Sequence, residues 1–136
     1  MKRYLLLTLL LLGTFSAWSQ AVGEWRDHNS FVEVRHVQTA GSRVYCATRS
    51  AMFYYDKDEF SVKPLTKVSG LSDVGISTFA YSEQLRCLAV AYSNSGLDLI
   101  MDGRTENVAD IRTGNISGDK QIYSMRFRGS KLYLAT

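Results

Sequence analysis

Beyond residue 20 the apolar positions come in short alternating runs, with no stripe at helical spacing. Val44, Cys46 and Thr48 fall on one side of an extended chain and Tyr45 and Ala47 on the other. Neither side is strongly polar, as expected of a sheet covered by neighbours on both faces. Turn residues punctuate the runs: Ala40-Gly41-Ser42, Asp56 to Glu59, Asn94-Ser95-Gly96, Asp102-Gly103 and Gly129-Ser130. Asp-Gly is a strong hairpin signal because a tight two-residue turn needs positive φ. The pattern predicts strands near Phe31–Gln38, Arg43–Arg49, Met52–Tyr55 and Phe60–Leu65. A second set falls near Ile76–Ser82, Leu85–Tyr92, Leu97–Met101 and Asn107–Ile111. Pro64 is placed in an outermost strand, where a missing N–H is tolerated.

The first set recurs further along the chain. Val34 to Thr48 aligns without gaps over Ile122 to Thr136: Gly41, Ser42, Tyr45, Ala47 and Thr48 recur as Gly129, Ser130, Tyr133, Ala135 and Thr136. The offset of 88 residues is two units of 44, and a middle copy begins at Ile76 with one inserted residue. A period of this size is that of a propeller blade. The predicted class is all-β: the N-terminal fragment of a β-propeller, with about two four-stranded antiparallel blades (31–65 and 76–111) and the start of a third from 122. A complete ring of four or more such blades needs roughly 180 residues or more. A β-sandwich is the competing architecture; the repeat favours the propeller.

The first 19 residues read differently. Lys2 and Arg3 precede the apolar run Leu5 to Leu12, and Ala17-Trp18-Ser19 is a cleavage-like small-residue pattern. This predicts a signal peptide over 1–19, too short to span a bilayer as a helix, and a mature chain 20–136 outside the cytoplasm. Charge then matters less than the whole-chain value of +3 suggests, because removing Lys2 and Arg3 leaves 14 basic against 13 acidic residues. A nucleic-acid partner needs a concentrated basic face and is not expected.

Several ordered segments carry a family resemblance. Ser69-Gly70-Leu71-Ser72-Asp73 to Ile76 looks like the junction of two-component-regulator-type propeller repeats. Trp25 and His28, the segment Lys67 to Asp73, Asn94 followed by Asp98, then Asp110, and finally Gly118-Asp119-Lys120, taken in order, resemble the N-terminal propeller of the PorZ family. That family is a surface component of the Bacteroidetes type IX secretion system. The resemblance runs from about Val22 to Thr136. It implies two propellers and a C-terminal sandwich in the whole protein, and an outward-facing outer-membrane location. It implies partnership with a sortase-type protease and other secretion-system surface proteins, and with the anionic lipopolysaccharide to which cargo is attached. It assigns no glycolipid-binding residue within these blades.

Candidate chemistry is sparse. His28 and His36 lack a third ligand at metal spacing. Cys46 and Cys87 fall in second strands of adjacent blades, too far apart for easy pairing, and read as buried thiols. Asp56, Asp58 and Glu59 lack an EF-hand pattern and read as a solvated hairpin tip. Asp98, Asp102 and Asp110 could serve glycoside chemistry only if two met across a substrate; surface turns explain them equally. Arg126, Arg128 and Lys131 gather on one hairpin, either as a fork for anionic groups or as a solvated edge. Asn115-Ile116-Ser117 is a formal sequon, and Gly114 with Gly118 to Lys120 lacks phosphate-loop spacing. No metal or cofactor is expected. The leading reading is a non-enzymatic binding and scaffold propeller. The alternatives are a periplasmic sensor propeller of a hybrid two-component regulator and a polysaccharide-acting propeller enzyme.

Overall fold

A computed structural model describes residues 31–136. The signal-like segment 1–19, Trp25 and His28 lie outside the described residues. Ten strands form three antiparallel sheets. The first contains β1 (His36–Ala40), β2 (Arg43–Ala47), β3 (Met52–Asp56) and β4 (Ser61–Leu65) in sequential order. The second contains β5 (Ile76–Ser82), β6 (Cys87–Tyr92), β7 (Leu97–Met101) and β8 (Arg104–Val108), again in order. A single turn of helix, α1 (Asp110–Thr113), leads to the third, made of β9 (Ser124–Arg128) and β10 (Lys131–Ala135). The leading strands line up, with β5 beside β1 and also beside β9. The described residues are thus part of a β-propeller, with sheets stacked around a common axis.

Strand alternation explains the stacking. In β6, Leu88, Val90 and Tyr92 point into the core shared with the first sheet, together with Tyr45, Ala47 and Met52. The intervening Ala89 and Ala91 point the other way, into a second core with Ile122 and Met125. Every residue of β6 is buried, because both of its faces are covered. Each fully buried large side chain contributes about 1.5–3 kcal/mol. One end of the stack differs: Val37 and Val62, on the face of the first sheet turned away from the second, are 61% and 63% exposed.

Four expectations need correction. The last strand of the second sheet starts at Arg104, not Asn107, because Asp102 (φ 48) and Gly103 (φ 75) complete a two-residue turn at once. Residues 110–113 then form α1 instead of prolonging that strand. The first strand runs from His36 to Ala40; only a hydrogen bond from the Arg35 N–H to the Ala47 carbonyl (2.8 Å) carries the pairing further back. The middle copy has two extra residues, not one. Ser82 pairs with Cys87 across four loop residues, where Ala40 with Arg43 and Arg128 with Lys131 enclose two. Pro64 lies in the outermost strand, as its missing N–H requires.

Candidate functional site: the junction of the first two sheets

The crossover 66–75 carries the chain from the edge of the first sheet to the leading strand of the second. Its N-terminal half is a compact turn in which the Ser69 hydroxyl accepts from the Thr66 N–H (2.7 Å). Gly70 has φ +117, and a Cβ there would stand 3.3 Å from the Thr105 hydroxyl, so glycine lets the crossover lie against β8. Leu71 then inserts into the shared core.

A buried carboxylate fastens the second half. Asp98, fully inaccessible at the second position of β7, accepts the Tyr92 hydroxyl (2.5 Å) and the Ser72 N–H (2.8 Å) on Oδ2. Its Oδ1 accepts the Asn107 amide (2.7 Å). Burial, and then the bond to Asp98, push the Tyr92 phenol well above its ordinary pKa. A buried carboxylate is tolerated because three donors replace its water. Next to this latch, the Asn94 amide donates to Asp73 Oδ2 (2.6 Å) and the Asp73 Oδ1 accepts the Val74 N–H (2.8 Å). The Val74 N–H, against the cost of burial and aided by Asn94, holds the Asp73 carboxyl below its ordinary value. Gly75, at φ +76, has no room for a side chain, since a Cβ would sit 2.8 Å from the Ser93 hydroxyl.

The structure therefore brings together Gly70, Leu71, Ser72, Asp73, Asn94 and Asp98, six of the residues singled out in the sequence, as one sheet-to-sheet fastening. Asp98 is not the surface-turn residue it could have been; it is a hydrogen-bonding hub. A sequence signal for this existed: a lone acid between Leu97 and Leu99 in an apolar strand demands internal donors. Asp102 and Asp110 stay exposed, in the β7–β8 turn and the first turn of α1. Asp56 is also buried, where a solvated tip was expected. Burial works against its ionisation, but the N–H groups of Glu59 and Asp58, then the Arg43 and Lys63 charges, hold its carboxyl below the usual range. Sequence reasoning missed Gln38, whose amide spans the two sheets: Oε1 accepts the Tyr81 N–H (2.9 Å) and Nε2 donates to the Tyr81 carbonyl (3.2 Å).

The other nominated residues sit elsewhere. Lys120 donates to the Gly114 (2.7 Å) and Arg112 (3.2 Å) carbonyls at the end of α1, and Asp119 bonds the Gln121 N–H (2.9 Å) and the Tyr123 hydroxyl. With Gly118 at φ +111 they shape the second crossover. Arg126, Arg128 and Lys131 are exposed, and the pairings Arg126 with Tyr133 and Arg128 with Lys131 put them on one face. That face is turned away from the second sheet, because Met125, Phe127, Leu132 and Leu134 occupy the opposite one. His36 is exposed, with its ring edge-on to Phe79 at 6.4 Å. Cys46 and Cys87 are free thiols; Cys87 is buried as expected, but Cys46 is only half-buried, because its face of the first sheet is left uncovered, and partial burial pushes both thiols up, Cys87 against an opposing hydrogen bond from the Ile100 backbone. Cys46 lies on the face of its sheet away from the second sheet, and Cys87 on the face away from the first, so two layers separate them. Among the described residues no three of His, Cys, Asp and Glu gather as a metal site, and no helix is long and apolar enough to cross a membrane.

Between the fastened sheets lies a cavity of about 290 Å³. Tyr45 is held against Tyr54 (ring centroids 5.6 Å) and stacked on Tyr81 (5.9 Å) along its wall. The Arg43 guanidinium sits 4.7 Å from the Tyr54 ring centre, with Nε 3.5 Å from Asp56. Arg86 and Asp102 stand at the rim.

Antiparallel four-stranded sheets stacked in chain order and joined by a fastened crossover define part of a β-propeller. The family model described as "TSS9, PorZ, N-terminal beta-propeller domain" matches residues 44–136, and the chain belongs to that family. A solved structure of PorZ from Porphyromonas gingivalis is similar, with 28% sequence identity and a TM-score of 0.67. That protein is described as an essential bacterial surface component of the type IX secretion system. The similarity covers 73% of this chain and 14% of that one. No curated protein matches the chain.

Proposed function

We propose that the chain forms part of a non-enzymatic binding and scaffold propeller of a type IX secretion component at the cell surface. It assists sortase-type processing of exported cargo and its attachment to anionic lipopolysaccharide. The observation that carries this reading is the family match over residues 44–136. The geometry supports it: the Asp98, Asp73 and Asp56 carboxylates are spent on structural hydrogen bonds, so rigidity is what they supply. Retention of a sortase-type protease in a pull-down of the full-length protein at near-physiological salt supports the reading. Clean recovery without such proteins overturns it.

Arg126, Arg128 and Lys131 are the candidate anion contacts. A second role is favoured by the internal repeat, because Gln38 and Tyr45, the counterparts of Arg126 and Tyr133, grip the following sheet. Replacing Arg126 and Arg128 by Ala in the full-length protein separates the two. Weaker lipopolysaccharide binding at unchanged stability assigns an anion contact, and lowered stability assigns a sheet junction.

A further inference from the structure

We infer that the outer face of the first sheet is covered in part by the chain's own segment 20–30, with Trp25 as its apolar anchor. Val37, Val44, Cys46, Phe53, Tyr55 and Val62 share that face by strand pairing, and no strand residue on it is charged. An uncharged face of four strands is one that a sheet ordinarily buries against a neighbour.

The first described residues show how the chain approaches it. The Phe31 ring stands edge-on to Phe53, with centroids 5.4 Å apart. Phe53 is second in β3, as Asp98 is second in β7. At the next junction it is Ser72, in the crossover ahead of β5, that meets Asp98. Phe31 ahead of β1 and Ser72 ahead of β5 therefore hold corresponding places, one fastened by rings and the other by a hydrogen bond. The interval that separates Ser72 from β4 leads back from Phe31 to residues 20–24, the counterpart of an outermost strand. Trp25 then falls at the place of Thr66, which is buried. The stretch ahead of Phe31 thus corresponds to a crossover that lies on the sheet it leads into.

Reach and tethering select this occupant. Six residue steps separate Trp25 from Phe31, up to about 20 Å of extended chain. Four strands spaced about 4.8 Å apart are about 14 Å across, so Trp25 can reach any of them. An indole ring brings a large apolar area to a face that offers it no charge. Held at Phe31, it acts at an effective concentration of millimolar order, which a separate partner must exceed.

The test uses the 136-residue chain carrying Trp18→Phe, which leaves Trp25 as the single tryptophan. Its emission is expected at shorter wavelength in the native chain than after unfolding in urea. Cys46, on the covered face, reports the place. Trp25→Ala should speed its alkylation by iodoacetamide by about tenfold and leave Cys87, two layers away, unchanged. Trp25→Leu, a smaller apolar anchor, should speed it less and serves if the alanine variant does not fold. An emission wavelength unchanged by unfolding, or equal Cys46 rates in parent and variants, would overturn the inference. So would protection of Cys46 that grows with protein concentration, which marks a second copy on the face. No secretion partner takes part, so failure here leaves the scaffold reading to the pull-down.

Discussion

The two sheet-to-sheet junctions solve the same packing problem in opposite ways. Between the second and third sheets, Ala80, Ala89 and Ala91 let Ile122 and Met125 approach closely, and the interface is mostly apolar, with only the small Thr78 and Ser82 buried on the same face of β5. Between the first and second, Tyr45, Tyr92 and Phe79 stand in the gap. This junction holds a cavity and buried polar groups beside those rings. Those groups then need specific partners, which Asp98 and Gln38 supply. The alanine junction depends on fit, and the aromatic junction on fit and hydrogen bonding together.

The sharpest way to break the aromatic junction is Asp98→Ala. It strands the Tyr92 hydroxyl, the Ser72 N–H and the Asn107 amide, and should cost about 3–4 kcal/mol in a urea unfolding experiment. At the alanine junction the damaging change is enlargement. Ala89→Leu should cost about 1–3 kcal/mol by overpacking. Val62→Leu, an enlargement on the exposed outer face of the first sheet, should stay within about 0.5 kcal/mol. Equal costs at both sites would remove the distinction between a packed face and an open one. Gln38→Ala leaves the Tyr81 N–H and carbonyl unpaired across the sheets and should cost about 1–2 kcal/mol, read as a lower unfolding midpoint.

The smallest effect is on the acid side. The Asp56 and Asp73 carboxyls lie below their ordinary values when folded. Each therefore stabilises the fold above the unfolded value of about 3.9, and that contribution disappears as pH falls through the lower folded value. Urea midpoints should drop as the solution is acidified through that window. Asp56→Asn, which removes one of the two groups, should make the drop shallower.

Much of the architecture was legible along the chain. The alternation of Val44, Tyr45, Cys46 and Ala47, the Asp102-Gly103 turn and the 88-residue recurrence are local or periodic facts, and they lead directly to stacked four-stranded sheets. The junction residues were legible only as a family pattern. Ser72 and Asp98 are separated by 26 positions, and Gln38 and Tyr81 by 43, so nothing in their local surroundings announces that they meet. Asp56 and Asp98 were misjudged for different reasons: Asp56 folds back onto the N–H groups of its own hairpin, Asp58 and Glu59, whereas Asp98 is buried with the Ser72 N–H of the distant crossover.

The amino-acid sequence by itself determined the strands, their order within each sheet and the blade period, because backbone pairing follows side-chain alternation and turn chemistry over a few residues. Only the tertiary structure decided which face of each sheet meets its neighbour, that Asp98 becomes a latch, and that a cavity opens beside Tyr45. Those outcomes depend on side-chain volumes summed across two sheets, a quantity defined only once the sheets have stacked.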